Sequence, residues 1–351
     1  MKHFYLLLYI AALLFFSACG SKQPERSGTR TSRNMMKQYN LEVLTLDKRF
    51  YESIPSGSGL EFYNDVYYLM GDDSPYLYEL DGNFKLVQQY ALFDTAAFGS
   101  GRIPKSLKPD LECMARFTYG RDEYLLLLGS GASAERNRGF LVNLTDNMQV
   151  REVDLSRLYL FLKKVLKIEG EGLLNVEGLA MDANYTYLMQ RSFGARSNVL
   201  FRFETDDFID YFFLDARLPV VAVYYFNLPQ LQYYHAGFSG AYALDGRLFF
   251  TASVEATTNA IDDAQVLGSY IGMIDLGSLP YATDPVHPAS VPIIKLSNPD
   301  GSAYLGKAES LVLGKVAGAG EYRVIVVSDD DAGHTELLEL QLSVQSLQQE
   351  N

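Results

Sequence analysis

Beyond its first 36 residues, the chain consists of short apolar runs, about 5 to 8 residues long, that are broken by Gly, Asp, Asn and Pro. Tyr and Phe are abundant, with 25 and 21 residues, and Trp is absent. Aromatic and β-branched residues in short runs between turn-forming residues favour β-strands. We therefore predict an all-β protein.

The strand pattern repeats five times along the chain. Each unit opens with a short strand that starts on a polar residue, followed by a small residue and an apolar one. A very apolar strand with a polar end and two amphipathic strands come next. The leading residues are separated by 54, 65, 62 and 70 positions and are Ser58, Glu112, Glu177, Ser239 and Glu309. Four antiparallel strands repeated at this period predict a β-propeller.

The number of blades depends on how the strands are grouped. The fifth unit contains three strands, and the N-terminal strand 39–46 can supply its fourth, which would close the ring at five blades. In the third unit, we assign the segment 207–214 to the outermost strand. The apolar run 219–227 could instead start another unit, so six blades stay an alternative to five. Residues 154–167 have apolar positions at helical spacing and predict one inserted helix.

The first residues have the pattern of an export signal. Residues 4–16 form an apolar run of the right length for a signal-peptide core, and too short to span a bilayer. Ser17 and Ala18 precede Cys19, which resembles the lipobox of bacterial lipoproteins, with Phe16 where Leu is usual. The resemblance implies cleavage before Cys19 and lipidation of its thiol. An ordinary secretory signal with an incidental cysteine is the alternative.

These features divide the chain into a signal peptide, a flexible tether, a single propeller domain and a short tail, at residues 1–18, 19–36, 37–345 and 346–351. We expect a monomer in the cell envelope that contacts the membrane only through its lipid anchor. The net charge of −13 argues against nucleic-acid binding, which requires a basic face, and is compatible with cation binding.

The five leading residues predict a metal site. The opening strand of each blade lines the central channel, so pseudo-fivefold symmetry would bring their side chains to one level around the axis. Three carboxylates in a narrow channel need a counter-charge. Three Glu, two Ser and several waters would give Ca²⁺ its oxygen ligands, whereas zinc prefers His or Cys. In the alternative interpretation, the glutamates bond backbone N–H groups of neighbouring blades and only seal the axis.

The second strand of each blade ends on the same rim, and those ends are polar. Among these residues, Arg191, Glu255, Asp72 and Asp73 are our candidate catalytic residues, because carboxylates orient water and arginine binds anionic oxygens in a bidentate manner. Lys108 and Arg196, in adjacent loops, could help to bind a phosphate. The remaining strand-end residues are Ser130, Gln190, Ser253, Asp329, Asp330 and Asp331. The alternative is that Asp and Ser at strand ends only form turns.

The order Ser, Glu, Glu, Ser, Glu, with one residue per blade, resembles the calcium-activated nucleotidase (apyrase) family, and is weakly similar to phytase-like esterase propellers. The segments GFSGAYALDGRLFFTASVE and KAESLVL are also similar to the fourth and fifth blades of that family. The resemblance implies five blades and one channel calcium held by the five leading residues, and it matches Arg191 and Glu255 to polar residues of the family. The acidic N-terminal motif of the family has no counterpart before residue 58.

Two functions are compatible with these observations. In the first, the propeller is a non-catalytic module that binds an anionic small molecule or an envelope protein, with calcium as a structural ion. The missing family motif and a tyrosine-rich segment, with Tyr224, Tyr225, Tyr233 and Tyr234, favour this reading. The alternative is a calcium-dependent hydrolase of phosphoesters or phosphoanhydrides.

Overall fold

A computed structural model describes residues 38–94, 102–104, 107–169, 172–192, 197–257, 264–279, 284–316, 318–330 and 332–347. Cys19, Arg196 and Asp331 lie outside these ranges, as do the predicted signal peptide and most of the tether. Within the described ranges, the strands form the five four-stranded antiparallel units of a β-propeller, which confirms the predicted fold class. None of the helices in this part of the chain is long and apolar enough to cross a bilayer.

The first strand of the chain, β1 (Tyr39–Tyr51), is set apart from the first blade, which starts six residues later. The first blade consists of β2 (Gly57–Tyr63), β3 (Val66–Gly71), β4 (Tyr76–Leu80) and β5 (Leu86–Ala91). The second consists of β6 (Leu111–Tyr119), β7 (Asp122–Gly129), β8 (Arg138–Asn143) and β9 (Gln149–Asp154). The predicted helix follows as α1 (Ser156–Val165), which buries Leu158, Tyr159 and Leu162.

The third blade corrects one sequence prediction. Its strands are β10 (Val176–Met181), β11 (Tyr185–Gln190), β12 (Asn198–Glu204) and β13 (Ala222–Asn227). The segment 207–214, which we predicted as a strand, instead lies mainly in helix α2 (Thr205–Phe213). Phe208, Ile209 and Phe212 recur at helical spacing, so the helix buries all three. The run 219–227 supplies the outer strand of this blade, so the six-blade alternative was wrong.

The last two blades follow a short hairpin, β14 (Gln230–Leu231) and β15 (Tyr234–His235). The fourth blade contains β16 (Gly237–Leu244), β17 (Arg247–Glu255), β18 (Val266–Asp275) and β20 (Ile293–Lys295), with a 3₁₀ turn at Leu276–Ser278. The strand β19 (Ala289–Ser290), which lies between β18 and β20 in the sequence, pairs in parallel with β13 of the third blade.

The fifth blade closes the ring as predicted. It contains β21 (Lys307–Lys315), β22 (Glu321–Asp329) and β23 (Thr335–Ser346), and β1 is its outer strand. The β1 and β23 strands pair in antiparallel fashion from Tyr39 opposite Ser346 to Tyr51 opposite Thr335. Both described ends of the domain therefore belong to one blade.

The hydrophobic core lies between neighbouring blades. Alternate side chains of a strand point to opposite faces of its sheet, so each blade packs against the blade before it and the blade after it. Tyr68 and Met70 of β3, for example, contact the second blade, whereas Tyr67 and Leu69 of the same strand contact the fifth. Equivalent clusters fill the other three gaps between blades. This packing fixes the inner strands around the channel.

Candidate metal centre at the channel mouth

Each inner strand carries one β-bulge, and in every blade the bulged residue is the leading residue of the repeat. The pairing of first and second strands skips a single position in each blade, and these positions are Ser58, Glu112, Glu177, Ser239 and Glu309. A bulge leaves its extra residue out of the ladder and redirects that side chain. The structure therefore places the five predicted residues at equivalent points of the five blades.

The small residue after each bulge allows the inner strands to approach one another. The clearest case is Gly240, where an added Cβ would collide with the backbone of Glu309 and Ser310 in the next blade. Glycine is therefore required here by the close approach of two strands rather than by a special backbone conformation. The narrow spacing at the axis explains why four of the five bulged residues are buried and Glu112 is partly buried.

The ring residues have partners within the protein. Ser58 Oγ donates a hydrogen bond to the carbonyl oxygen of Leu111 at 2.6 Å. Glu309 Oε1 lies 2.8 Å from Lys307 Nζ. Asn175 Nδ2 donates to Glu177 Oε1. The partners of the two glutamates are thus side chains of other residues, and not the backbone N–H groups of our alternative interpretation.

Three carboxylates form a compact group between the first two blades. Asp72 follows β3, Asp110 precedes β6, and Glu112 is the bulged residue of β6. One ligand oxygen from each of the three lies within 4.8 Å of the others, so this group of described residues could hold a cation. We call it the metal cluster. The metal cluster contains one of the five predicted ligands, Glu112. It also contains Asp72, which we predicted as a catalytic residue.

Two basic side chains and one hydroxyl contact the metal cluster. Lys108 Nζ lies 2.5 Å from Asp72 Oδ2 and 2.9 Å from Asp110 Oδ1. Arg136 Nη1 lies 2.7 Å from Asp110 Oδ2, and Ser130 Oγ donates to the same oxygen at 2.6 Å. Asp110 thus has three polar partners among the described residues. The carboxylate of Asp72 contacts Lys108, and the Asp72 backbone N–H donates to the Ser56 carbonyl oxygen at 3.0 Å.

Burial and like charges separate the pKa values of these three acids. Burial raises the pKa of Asp72 to about 6, although Lys108 opposes the shift. Against the effect of burial, Lys108 and Arg136 lower the pKa of Asp110. Burial, together with the charges of Asp110, Glu177 and Asp72, raises the pKa of Glu112 well above its usual value. Glu112 is therefore the acid of this group with the strongest need for a counter-charge.

A second group of charged side chains, here called the ion-pair cluster, lies between the third, fourth and fifth blades. Arg191, which is 3% exposed, places Nη2 2.5 Å from Glu255 Oε1 and Nη1 4.0 Å from Glu177 Oε2. The same guanidinium donates to Ser239 Oγ and to the Ser253 carbonyl oxygen, both at 3.3 Å. Lys307 Nζ lies 3.7 Å from Glu255 and contacts Glu309.

Glu177 is incompletely paired within the ion-pair cluster. Its Oε2 atom is buried and has no hydrogen-bond partner among the described residues. Burial raises the pKa of Glu177 to about 8, against the effects of Arg191 and Lys307. Lys307 and Arg191 outweigh burial at Glu255 and lower its pKa. The two glutamates with raised pKa values, Glu112 and Glu177, repel each other across the boundary between the second and third blades.

The two clusters share one arrangement of a lysine and two acids but differ in how many cations contact the strand-end acid. In each, a lysine that precedes a ring glutamate also contacts the acid at the end of the second strand of the preceding blade: Lys108 contacts Asp72, and Lys307 contacts Glu255. In the ion-pair cluster, Arg191 adds a second cation at Glu255. Together, the two clusters contain six carboxyl groups and four basic side chains, so two negative charges would lack a basic partner if every carboxyl group were ionised.

The four predicted catalytic residues do not form one group. Arg191 and Glu255 are brought together as an ion pair, and Asp72 belongs to the metal cluster. Asp73 instead pairs with Arg102, whose Nε lies 2.7 Å from Asp73 Oδ2. Sequence reasoning missed Asp110, Arg136 and Lys307. For two of them the sequence contains a signal, which is their distance from a leading residue. Asp110 lies two residues before Glu112, and Lys307 lies two residues before Glu309.

Of the four tyrosines predicted to form a contact surface, two lie at the extremes of exposure. Tyr224, in β13, is 1% exposed and belongs to the core. Tyr233, between β14 and β15, is 89% exposed. The tyrosine-rich segment is thus not a single exposed surface, and only part of it is accessible to a partner.

Comparisons with known proteins give a family without an assigned activity. A family model described as a family of unknown function (DUF6929) matches residues 53–342. No curated protein matches the chain.

Several solved structures are similar over most of their length. Glutaminyl cyclase from Myxococcus xanthus is 13% identical, with a TM-score of 0.45, over 88% of this chain and 99% of that chain. Arabinanase Arb43A from Bacillus subtilis is 12% identical, with a TM-score of 0.43, over 86% of this chain and 96% of that chain. A member of the duf4221 family from Bacteroides vulgatus is 11% identical, with a TM-score of 0.33, over 89% and 98%. At these values, none of the three carries an inference about activity.

Proposed function

We propose a function for this chain, which belongs to the family of unknown function DUF6929: its propeller binds one calcium ion at the channel mouth and acts as a non-catalytic binding module of the cell envelope. The observation that carries the proposal is the metal cluster, in which oxygens of Asp72, Asp110 and Glu112 lie within 4.8 Å of one another. With all six carboxyl groups of the two clusters ionised, two negative charges lack a basic partner, and one divalent cation carries the matching charge.

The donor set favours calcium among the common metals. All three members of the metal cluster supply carboxylate oxygens, and calcium takes six to eight oxygen ligands, some of them from water. A zinc site would use His or Cys. When bound, the ion would supply positive charge beside Glu112, the acid on which the negative charges of Asp110, Glu177 and Asp72 act together. Asp72 and Glu112 would hold the ion, and Asp110 would divide its oxygens between the ion and Arg136.

The contacts of Arg191 support a binding module over a hydrolase. A phosphate-binding arginine needs free donors that face the ligand. Arg191 is buried, and its guanidinium donates to Glu255, Ser239 and the Ser253 carbonyl oxygen. We therefore infer that Arg191 joins blades together. The ligand class that we propose is an anionic small molecule or an envelope protein, bound at the channel mouth or at the exposed Tyr233.

The envelope location rests on the first twenty residues. We propose that the signal is cleaved, that Cys19 is lipidated and that the tether separates the propeller from the membrane. Metabolic labelling with a fatty-acid analogue tests this proposal: label should appear on the wild-type protein and disappear in Cys19→Ser. Label on both proteins, or on neither, would remove the anchor from the proposal.

Calcium titration by calorimetry tests the metal site. Chelator-treated, dialysed protein should bind one calcium ion, and calcium should raise the melting temperature. Asp72→Asn and Glu112→Gln should each weaken binding by at least about tenfold, because each removes one charged ligand. Asp330→Asn is the matched control, since Asp330 lies on the same face but pairs with His334 at 2.8 Å. The absence of heat and of a melting shift in the wild type would overturn the proposal. Calcium-dependent release of phosphate from a nucleotide or model phosphoester would replace the module with the hydrolase.

A further inference from the structure

Lys108 directs its ammonium at two of the three acids of the metal cluster. Its ammonium contacts both Asp72 and Asp110, at 2.5 and 2.9 Å. These acids are two of the three whose ligand oxygens lie close enough together for one ion. An ammonium and a calcium ion both bind carboxylate oxygens and carry positive charge, and here both would draw on Asp72 and Asp110. They therefore compete for Asp72 and Asp110, and only one of them can hold both acids at a time.

The location of Lys108 allows its side chain to move without disturbing a blade. It lies in a turn before β6, where the N–H groups of Leu107 and Lys108 donate to the Pro104 carbonyl oxygen at 2.8 and 3.1 Å. Its side chain is 12% exposed, so part of it already reaches solvent. A lysine ammonium is a single charge at the end of a flexible stem, so it can rotate away while the backbone stays in place.

We propose that Lys108 is a tethered competitor of the divalent cation. In the metal-free protein, its ammonium neutralises Asp72 and Asp110; when calcium binds, the ammonium leaves these oxygens and turns to solvent. The inference rests on the proposed calcium site and names its regulation. Because calcium must displace a bound ammonium, the apparent calcium affinity is lower than it would be without Lys108.

The ion-pair cluster supplies a matched comparison. Lys307 also precedes a ring glutamate and contacts Glu309 and Glu255, at 2.8 and 3.7 Å. Its acids do not form a metal-ligating group within the described residues. Replacing Lys307 therefore removes the same charge close to the channel without freeing the ligands of the metal cluster.

The first test is calcium affinity by calorimetry on chelator-treated protein. Lys108→Met should bind calcium on the order of tenfold more tightly than the wild type, because the competing charge-assisted contacts are gone. Lys108→Arg should bind no more tightly than the wild type, and Lys307→Met should stay within about threefold of it, since Lys307 contacts Glu255 and Glu309 and none of the three acids of the metal cluster. Unchanged or weaker binding by Lys108→Met, or equal tightening by Lys307→Met, would overturn the inference.

The second test uses the unmodified protein, and so does not depend on the folding of any variant. An amine-reactive acetylating reagent is applied with and without saturating calcium, and acetylation at Lys108 is measured by mass spectrometry. Calcium should increase acetylation of Lys108 several-fold and leave the exposed Lys315, with a side chain 61% exposed, unchanged. If the wild type binds calcium but Lys108 stays equally protected, this inference fails and the calcium site stands. If neither the wild type nor Lys108→Met binds calcium, the proposed function itself fails.

Discussion

Glu61 should make the stability of the propeller depend on pH. It lies in β2, three residues beyond the bulge, and is 7% exposed. Its carboxylate accepts hydrogen bonds from the backbone N–H groups of Arg116 and Phe62, at 3.0 and 3.2 Å. Burial outweighs these bonds and raises its pKa from 4.5 to about 7.

The direction in which the free energy of unfolding changes with pH follows from proton linkage. Between pH 4.5 and about 7, the folded state keeps a proton on Glu61 that the unfolded state has already released. The state with fewer bound protons gains as pH rises, so the free energy of unfolding falls across this interval and is level above it. A shift from 4.5 to about 7 corresponds to about 3 kcal/mol of lost stability.

Urea denaturation of the wild type and Glu61→Gln at pH 5 and pH 8 measures this loss. Other acids also titrate, so the informative quantity is the difference between the two proteins. Relative to the wild type, Glu61→Gln should be about 3 kcal/mol more stable at pH 8 than at pH 5. Any fixed cost of replacing one carboxylate oxygen by an amide cancels in this comparison. Glu152→Gln, which changes an exposed ion pair with Arg138, should show a difference of about 0.5 kcal/mol or less. A pH-independent difference for Glu61→Gln would refute the reasoning.

Three further predictions concern the blade junctions. Arg191→Met should lower the free energy of unfolding by about 3–5 kcal/mol in urea denaturation, because it leaves Glu255 and Glu177 buried without their cation; replacing Glu255 by Met as well should recover part of the loss, and no recovery would contradict the pairing. Gly240→Ala should cost more than about 2 kcal/mol by the same assay, because the new Cβ meets backbone of the next blade; a stability equal to the wild type would show that the strands can separate there. A chain that begins at residue 52 should melt at a much lower temperature than one that begins at residue 37, because it lacks β1 and exposes the edge of β23; equal melting temperatures in differential scanning calorimetry would contradict closure by β1.

Much of the fold could be predicted from the sequence because a propeller is built from local repeats. The apolar second strands and the polar residue that leads each unit are visible without any structure, and the ring closure follows from a strand left over at one end. The segment 207–214 was misassigned for a physical reason. Aromatic residues favour strands, and Phe208 and Phe212 satisfy that preference while also matching the period of an amphipathic helix. Only packing against the neighbouring core decides between them.

The candidate site was predicted less completely, because it depends on contacts between blades. The sequence shows that Glu112 leads a blade, but not that Lys108 and Arg136 reach the acid two residues before it. The order of residues also gives no indication that each leading residue is a bulge, although the bulge is what turns its side chain from the ladder. Position within a repeat predicts which side chains approach the axis; it does not predict how their charges are balanced.

The distribution of charge around the ring explains why a cation is expected on one side of the channel. The junction between the fifth and first blades is joined by neutral bonds, from Gly57 N–H to Thr335 Oγ1 at 2.9 Å and from Leu60 N–H to Ser310 Oγ at 3.3 Å. Arg191 and Lys307 supply the cations between the third, fourth and fifth blades.

The acids that lack sufficient compensation therefore meet where the second blade adjoins the third. Glu112 and Glu177 repel each other there, and Glu177 Oε2 has no hydrogen-bond partner in the described part of the chain. Buried like charges are tolerated only when they are protonated or neutralised by a cation. Lys108 contacts Asp72 and Asp110 but neither of these glutamates, and Lys307 and Arg191 offset their repulsion only in part, so a divalent ion at the metal cluster would add the missing positive charge. The metal that we propose would thus balance an uneven placement of four basic side chains around a ring whose backbone is nearly symmetric.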